Sequence, residues 1–224
     1  MRHVLRVALT LALMIGVAHA QVAAPVVTPA TSPRCATAAE LIQLEADAKQ
    51  SGATVNKLTD LGQAYLCLKR AKDARNTLEA AVALDYAYFD AHFFLGKAYY
   101  DLGDFEAALS EYDQLIRTSP DRVEPYYQQA VIYARLRRTD DAIRSLSSAV
   151  AAALKDEVTN KNTELLADLN IALAQQYRLK LDYNNEAQAY TTAQQYRPGD
   201  LGLVVKQGQA LFDATNLAAA LPLT

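Results

Sequence analysis

Residues 93–109 read FFLGKAYYDLGDFEAAL, and the small and aromatic side chains in this stretch recur elsewhere at a fixed distance. Val55, Phe89 and Val123 stand 34 residues apart, and the sequence stays in phase from each of them. Position eight is Gly62, Gly96 and Ala130; position eleven is Tyr65, Tyr99 and Tyr133. Position twenty is Ala74, Ala108 and Ala142, position twenty-four Leu78, Tyr112 and Leu146, and position twenty-seven Ala81, Leu115 and Ala149. Small residues such as Gly96 and Ala108 let two antiparallel helices cross closely, while Leu95, Tyr99, Phe105 and Tyr112 fill the space between them. Gly103-Asp104 makes the turn, with Asp104 placed to cap the second helix. Pro120 ends that helix. A single hairpin of this kind cannot cover its own apolar face, so its neighbours must stack on it.

This pattern resembles the tetratricopeptide repeat, a helix-turn-helix unit of about 34 residues. The resemblance implies an all-α fold, a right-handed superhelical solenoid of antiparallel helix pairs. Units span 55–88, 89–122 and 123–156. Ala174, Tyr177, Asp182-Tyr183, Tyr190, Ala193 and Pro198 align only if the fourth unit spans 167–200. That places an insertion near 155–166, around KDEVTNKNTEL, expected to lengthen the second helix of unit three or the first of unit four. Glu186 stands there in place of a small residue, and a partial unit occupies 201–224. Ahead of the repeats, Ala38, Leu41, Ile42, Ala46 and Ala48 return at helical spacing and predict an end helix over 36–50.

The first twenty residues read as an export signal. MRHVLR is a basic start, VALTLALMIGV an apolar run, and Ala18-His19-Ala20 a small-x-small cleavage pattern. The alternative is an uncut anchor, but the apolar run falls short of the ~20 residues a bilayer needs. Residues 21–34 carry three prolines without helical period and read as a flexible linker. The chain is expected to be exported, periplasmic or secreted, with no stable membrane span after signal cleavage. Its formal charge is −3; without Arg2 and Arg6 it has 20 basic against 25 acidic residues, or −5. That balance carries no footprint for nucleic acid or anionic lipid.

No catalytic constellation, cofactor motif or metal-ligand spacing is present, so no enzyme activity, cofactor or metal is expected. His3 and His19 fall in the signal. His92, at position four of unit two, is read as a packed side chain, because a ligand or triad member needs partners absent nearby. Cys35 opens the end helix and Cys67 closes the first helix of unit one, at heights within ~3 Å along antiparallel axes. In an oxidising compartment this suggests a disulfide; two buried thiols facing apart are the alternative.

The resemblance also implies where a partner binds, since first-helix positions two, five, nine and twelve of this family line the concave face. The candidate groove residues are Asn56, Thr59 and Gln63, then Phe93, Lys97 and Tyr100, then Tyr127 and Val131, and finally Ile171, Gln175 and Arg178. Phe93, Tyr100 and Tyr127 are expected to form an aromatic strip. Members that grip chaperone tails carry lysine and asparagine at positions five and nine of the first unit, and lysine and arginine at two and six of the third. Here those places hold Thr59, Gln63, Glu124 and Gln128, so that clamp is missing. The expectation is a non-enzymatic interaction scaffold of the cell envelope that holds a peptide or partner protein in its groove, with assembly of an envelope complex as its setting. A module positioning a cell-wall enzyme, and a glycan or small-ligand binder using the aromatic groove, are the alternatives. Val204, Val205, Leu211 and Phe212 of the last helix lack a covering helix, which raises self-association through that end.

Overall fold

The computed structural model describes residues 35–49, 52–155 and 162–220, with side chains described as far as residue 216. The expected signal at 1–20, the linker at 21–34 and the centre of the insertion lie outside the described residues. Among the described residues ten helices follow one another: α1 Ala38–Lys49, α2 Val55–Cys67, α3 Ala71–Leu84, α4 Phe89–Leu102, α5 Phe105–Thr118, α6 Val123–Arg135, α7 Thr139–Lys155, α8 Thr163–Leu179, α9 Tyr183–Tyr196 and α10 Leu201–Ala220. Among the described residues there is no strand. Successive helices pair as antiparallel hairpins, and each hairpin packs on the next.

Close crossing explains the small residues at position eight. A Cβ on Gly96 would sit 2.8 Å from Cε1 and Cζ of Tyr112, a side chain with 0% exposure in the α4–α5 crossing. Gly62 faces Leu78 of α3 in the same manner. In the third unit Ala130 and Leu146 are buried in one cluster.

The hairpin turn is built alike in four units. Gly103 follows α4 in the left-handed conformation at φ 82°, and Lys69, Arg137 and Leu181 hold equivalent turns at 61°, 59° and 60°. In each unit the next residue donates its N–H to the carbonyl of the position-eleven tyrosine. Arg70 bonds Tyr65 at 2.9 Å, Asp104 bonds Tyr99 at 2.9 Å, Arg138 bonds Tyr133 at 2.8 Å and Asp182 bonds Tyr177 at 3.0 Å. These bonds satisfy carbonyls that a helix end leaves open.

The second helices then start in one of two ways. Asp104 and Asp182 accept from the N–H groups of Ala107 and Asn185, as capping aspartates do. Arg70 and Arg138 instead pair with Asp73 and Asp141, at 2.7 and 2.6 Å. Their guanidinium groups also lie over the rings of Tyr65 and Tyr133.

A tyrosine ladder joins neighbouring hairpins. Tyr65 donates its hydroxyl to Glu45 of α1 at 2.8 Å, and Tyr99 donates to Glu79 of α3 at 3.0 Å. Glu45 and Glu79 are themselves 34 residues apart, so α1 occupies the place of a second helix in a preceding unit. None of its residues is fully buried. It rests on the core through Leu41, Leu44 and Ala48, and a Cys35–Cys67 disulfide with Cα atoms 5.5 Å apart ties it to the end of α2.

Both helices flanking the insertion are long. α7 and α8 each have 17 residues where α2 has 13 and α5 has 14. The unexpected Glu186 of α9 is buried at 1% exposure and accepts from Arg178 Nε at 2.8 Å. Arg178 Nη2 reaches on to Asp213 of α10 at 3.2 Å. One guanidinium thus bridges three helices.

Candidate binding groove

The first helices α2 and α4 pack side by side, and together with α1 and α6 they surround a hollow of about 800 Å³. Its lining includes Glu40, Gln43 and Leu44 of α1, then Asp60, Gln63 and Leu66 of α2. Phe94, Lys97, Tyr100 and Asp101 of α4 and Gln128 of α6 face them, Lys69 lies at the turn after α2, and both cysteines stand in the wall. The disulfide therefore holds α1 as one side of the hollow.

Three of the expected groove residues meet here: Gln63, Lys97 and Tyr100. Asn56 is exposed at the start of α2 but outside this lining. The position-five residues need correction, because they turn toward the second helices. Thr59 is 3% exposed and its hydroxyl donates to the Val55 carbonyl at 2.8 Å, while Tyr127 is 7% exposed in the core of units three and four. Phe93 packs with its ring 6.0 Å from that of Tyr112 and 6.2 Å from that of Phe89. The expected open strip of Phe93, Tyr100 and Tyr127 is therefore not formed.

Farther along, Val131 and Ile171 are half-buried against the core of units three and four, and Gln175 is half-buried on α8. Arg178 is committed to Glu186 and Asp213 and presents no free guanidinium to a groove.

What the sequence reading missed is position six, occupied by Asp60, Phe94 and Gln128. Helical geometry could have found it. Positions six, nine and thirteen are spaced i, i+3 and i+7, so a position-nine residue in the hollow brings six and thirteen to the same face.

The hollow's electrostatics centre on Lys97. Burial holds its ammonium below the usual lysine range; nearby Asp101 acts the other way and Lys69 adds to the lowering. It makes no ion pair or hydrogen bond among the described residues, and its closest ring partner is Phe93, 6.0 Å from Nζ. The Asp60 carboxyl is pushed up by burial and by Asp90.

His92 lies behind this surface with 4% exposure. Its Nδ1 is 2.6 Å from Glu111 Oε2 and its Nε2 is 2.8 Å from the Tyr86 carbonyl. Both partners only accept, so the doubly protonated ring satisfies both, and the hydrogen bond to Glu111 leads in raising its pKa. It braces α4 against α5 and the preceding loop. Among the described residues no group of His, Cys, Asp and Glu is arranged to hold a metal ion.

Stacked helix hairpins with a hollow along their first helices define a helical-repeat protein of tetratricopeptide type in its fold. Residues 59–123 match the tetratricopeptide repeat family. Among solved structures, MamA superposes with a TM-score of 0.62 at 18% identity, over 73% of this chain and 90% of that one. TTC0263, a thermophilic tetratricopeptide-repeat protein of Thermus thermophilus, superposes with a TM-score of 0.56 at 26% identity, over 78% and 90%. PcrH in complex with the chaperone binding region of PopB gives a TM-score of 0.50 at 23% identity, over 56% of this chain and 98% of that one. No curated protein matches the chain.

Proposed function

We propose that this chain is a non-enzymatic interaction scaffold of the cell envelope, holding a segment of a partner protein in the hollow between α1, α2, α4 and α6. The observation that carries the reading is that hollow itself. At about 800 Å³ it is large enough for several side chains, and aromatic, aliphatic and amide groups line it together. Its walls are helices already packed in place, so binding needs little reordering of the scaffold. PcrH, a protein of similar fold, is seen with a region of PopB bound. Export, through the signal read at 1–20, sets the compartment, and a disulfide tying α1 to α2 suits an oxidising one.

The exposed face of α10 is the second contact surface we assign, to another copy of the chain. Leu201, Val205 and Phe212 are 76%, 71% and 60% exposed and share a stripe with Gly208, where a partner helix has open space to approach. Light scattering that finds only monomer at high concentration overturns this assignment.

The groove is tested by photo-crosslinking in intact cells from residues 63, 94 and 128, against outward-facing residues 76, 110 and 147. The expected result is one partner protein captured from the first set and little from the second. Equal capture from both sets overturns the groove, and capture of cytoplasmic proteins alone overturns the envelope setting.

A further inference from the structure

An ammonium group withdrawn from water is costly unless an anion meets it. Lys97 is in that state: half-buried in the wall of the hollow, it makes no ion pair or hydrogen bond among the described residues, and Asp101 attracts it only across a distance. Its ammonium lies 6.0 Å from the centre of the Phe93 ring, a weak substitute for three hydrogen bonds. Around it stand the amides of Gln43, Gln63 and Gln128, which can both donate to and accept from a peptide backbone. Phe94 and Tyr100 offer apolar surface beside them. Glu40, Asp60 and Asp101 share the lining with one further cation, the exposed Lys69, so a run of acidic residues would meet like charge on three sides.

We propose that the hollow receives an extended peptide segment with one internal acidic side chain, whose carboxylate meets Lys97 while a neighbouring apolar side chain meets Phe94 and Tyr100. This rests on the groove reading and narrows it to a partner chemistry. The choice of a side chain over a chain end follows from the lining, which continues on both sides of Lys97, to α1 in one direction and to α6 in the other. A segment crossing the hollow uses both sides; a chain terminus leaves one empty. Burial also lowers the lysine's proton affinity, so an incoming carboxylate is expected to bring it back up, which makes binding salt-sensitive only weakly compared with a surface ion pair.

The test selects short random peptides, displayed with their C-termini fused to a carrier, on the full oxidised chain. The expected result is enrichment of Asp or Glu beside an apolar residue. Lys97→Met should weaken the selected peptides at least ~10-fold, the usual scale for losing a charge-assisted hydrogen bond. Its melting temperature should hold or rise, because the substitution removes an unpaired, desolvated charge, so lost binding is not lost folding. Lys97→Glu should select Lys- or Arg-bearing peptides instead.

Peptides enriched without an acidic residue, or bound as tightly by Lys97→Met, overturn the proposal. If such peptides are still lost on Gln63→Trp, which puts an indole into the hollow from α2, the groove reading survives alone. If they are indifferent to both substitutions, the groove reading falls too. A parallel library with free C-termini that alone yields binders overturns the assignment to an internal side chain.

Discussion

At the scale of single residues, the turn after each first helix shows how one local requirement can be met in several ways. Four units need a left-handed residue there, and only Gly103 is a glycine. A side chain in that conformation is strained by its own Cβ against the following carbonyl. Arg137→Gly is therefore expected to stabilise the protein by about 0.5–1 kcal/mol, the relieved strain exceeding the added freedom of the unfolded chain. Urea unfolding checks this, and a loss of stability contradicts it. Gly103 was legible in the sequence because glycine announces the conformation; Lys69, Arg137 and Leu181 hide it because nothing in their chemistry asks for it. His92 makes a prediction of the same scale. Its folded pKa lies above the ordinary value of 6.5, since Glu111 and the Tyr86 carbonyl both favour the cation. The stabilisation is therefore complete below about pH 6.5 and is lost as pH rises through the folded value. Melting temperature measured from about pH 6 upward should fall more steeply in the native chain than in His92→Gln, which carries no titrating ring. Parallel curves for the two contradict the assignment.

At the scale of elements, α1 is the piece held least by packing and most by covalent chemistry. It buries no residue fully, and the disulfide closes a separation of 32 residues. For a loop of that size the constraint is worth about 3–4 kcal/mol. Reduction is expected to raise amide exchange along α1 and to leave α6 to α9 unchanged, because in a stacked array each unit leans only on its neighbours. Exchange that rises equally throughout contradicts nearest-neighbour stacking; exchange that does not rise in α1 means its packing alone suffices. The sequence showed that α1 was helical and near Cys67, yet its role as a second helix came into view only through the Tyr65–Glu45 bond and its equivalent, Tyr99–Glu79. The insertion was legible as extra length between units three and four. How that length divides between α7 and α8 was not, since Thr159, Asn160, Asn162 and Thr163 all suit a cap; Asn162 takes the role, accepting from the Leu165 N–H at 3.0 Å.

At the scale of the whole molecule, a fixed spacing of helix hairpins was readable because close packing leaves its mark in small and aromatic residues. The groove was only half readable. Gln63, Lys97 and Tyr100 were placed by the repeat, but Phe93 and Tyr127 were assigned to a surface when their rings fill the hairpin cores. An aromatic residue suits core and contact surface equally, and one position along a helix turns it from one to the other. Arg178 was misjudged for a related reason. Its partners Glu186 and Asp213 lie on two later helices, and nothing local announces that a charge is already matched. If the inner layer of first helices is the working surface, a bound partner must protect that layer before any other. Amide exchange of the full chain, with and without the partner captured from residue 94, measures this directly. Slowed exchange is expected along α2, α4 and the facing side of α1, with α3, α5 and α7 unchanged. Slowing concentrated on α3, α5 and α7 would contradict it.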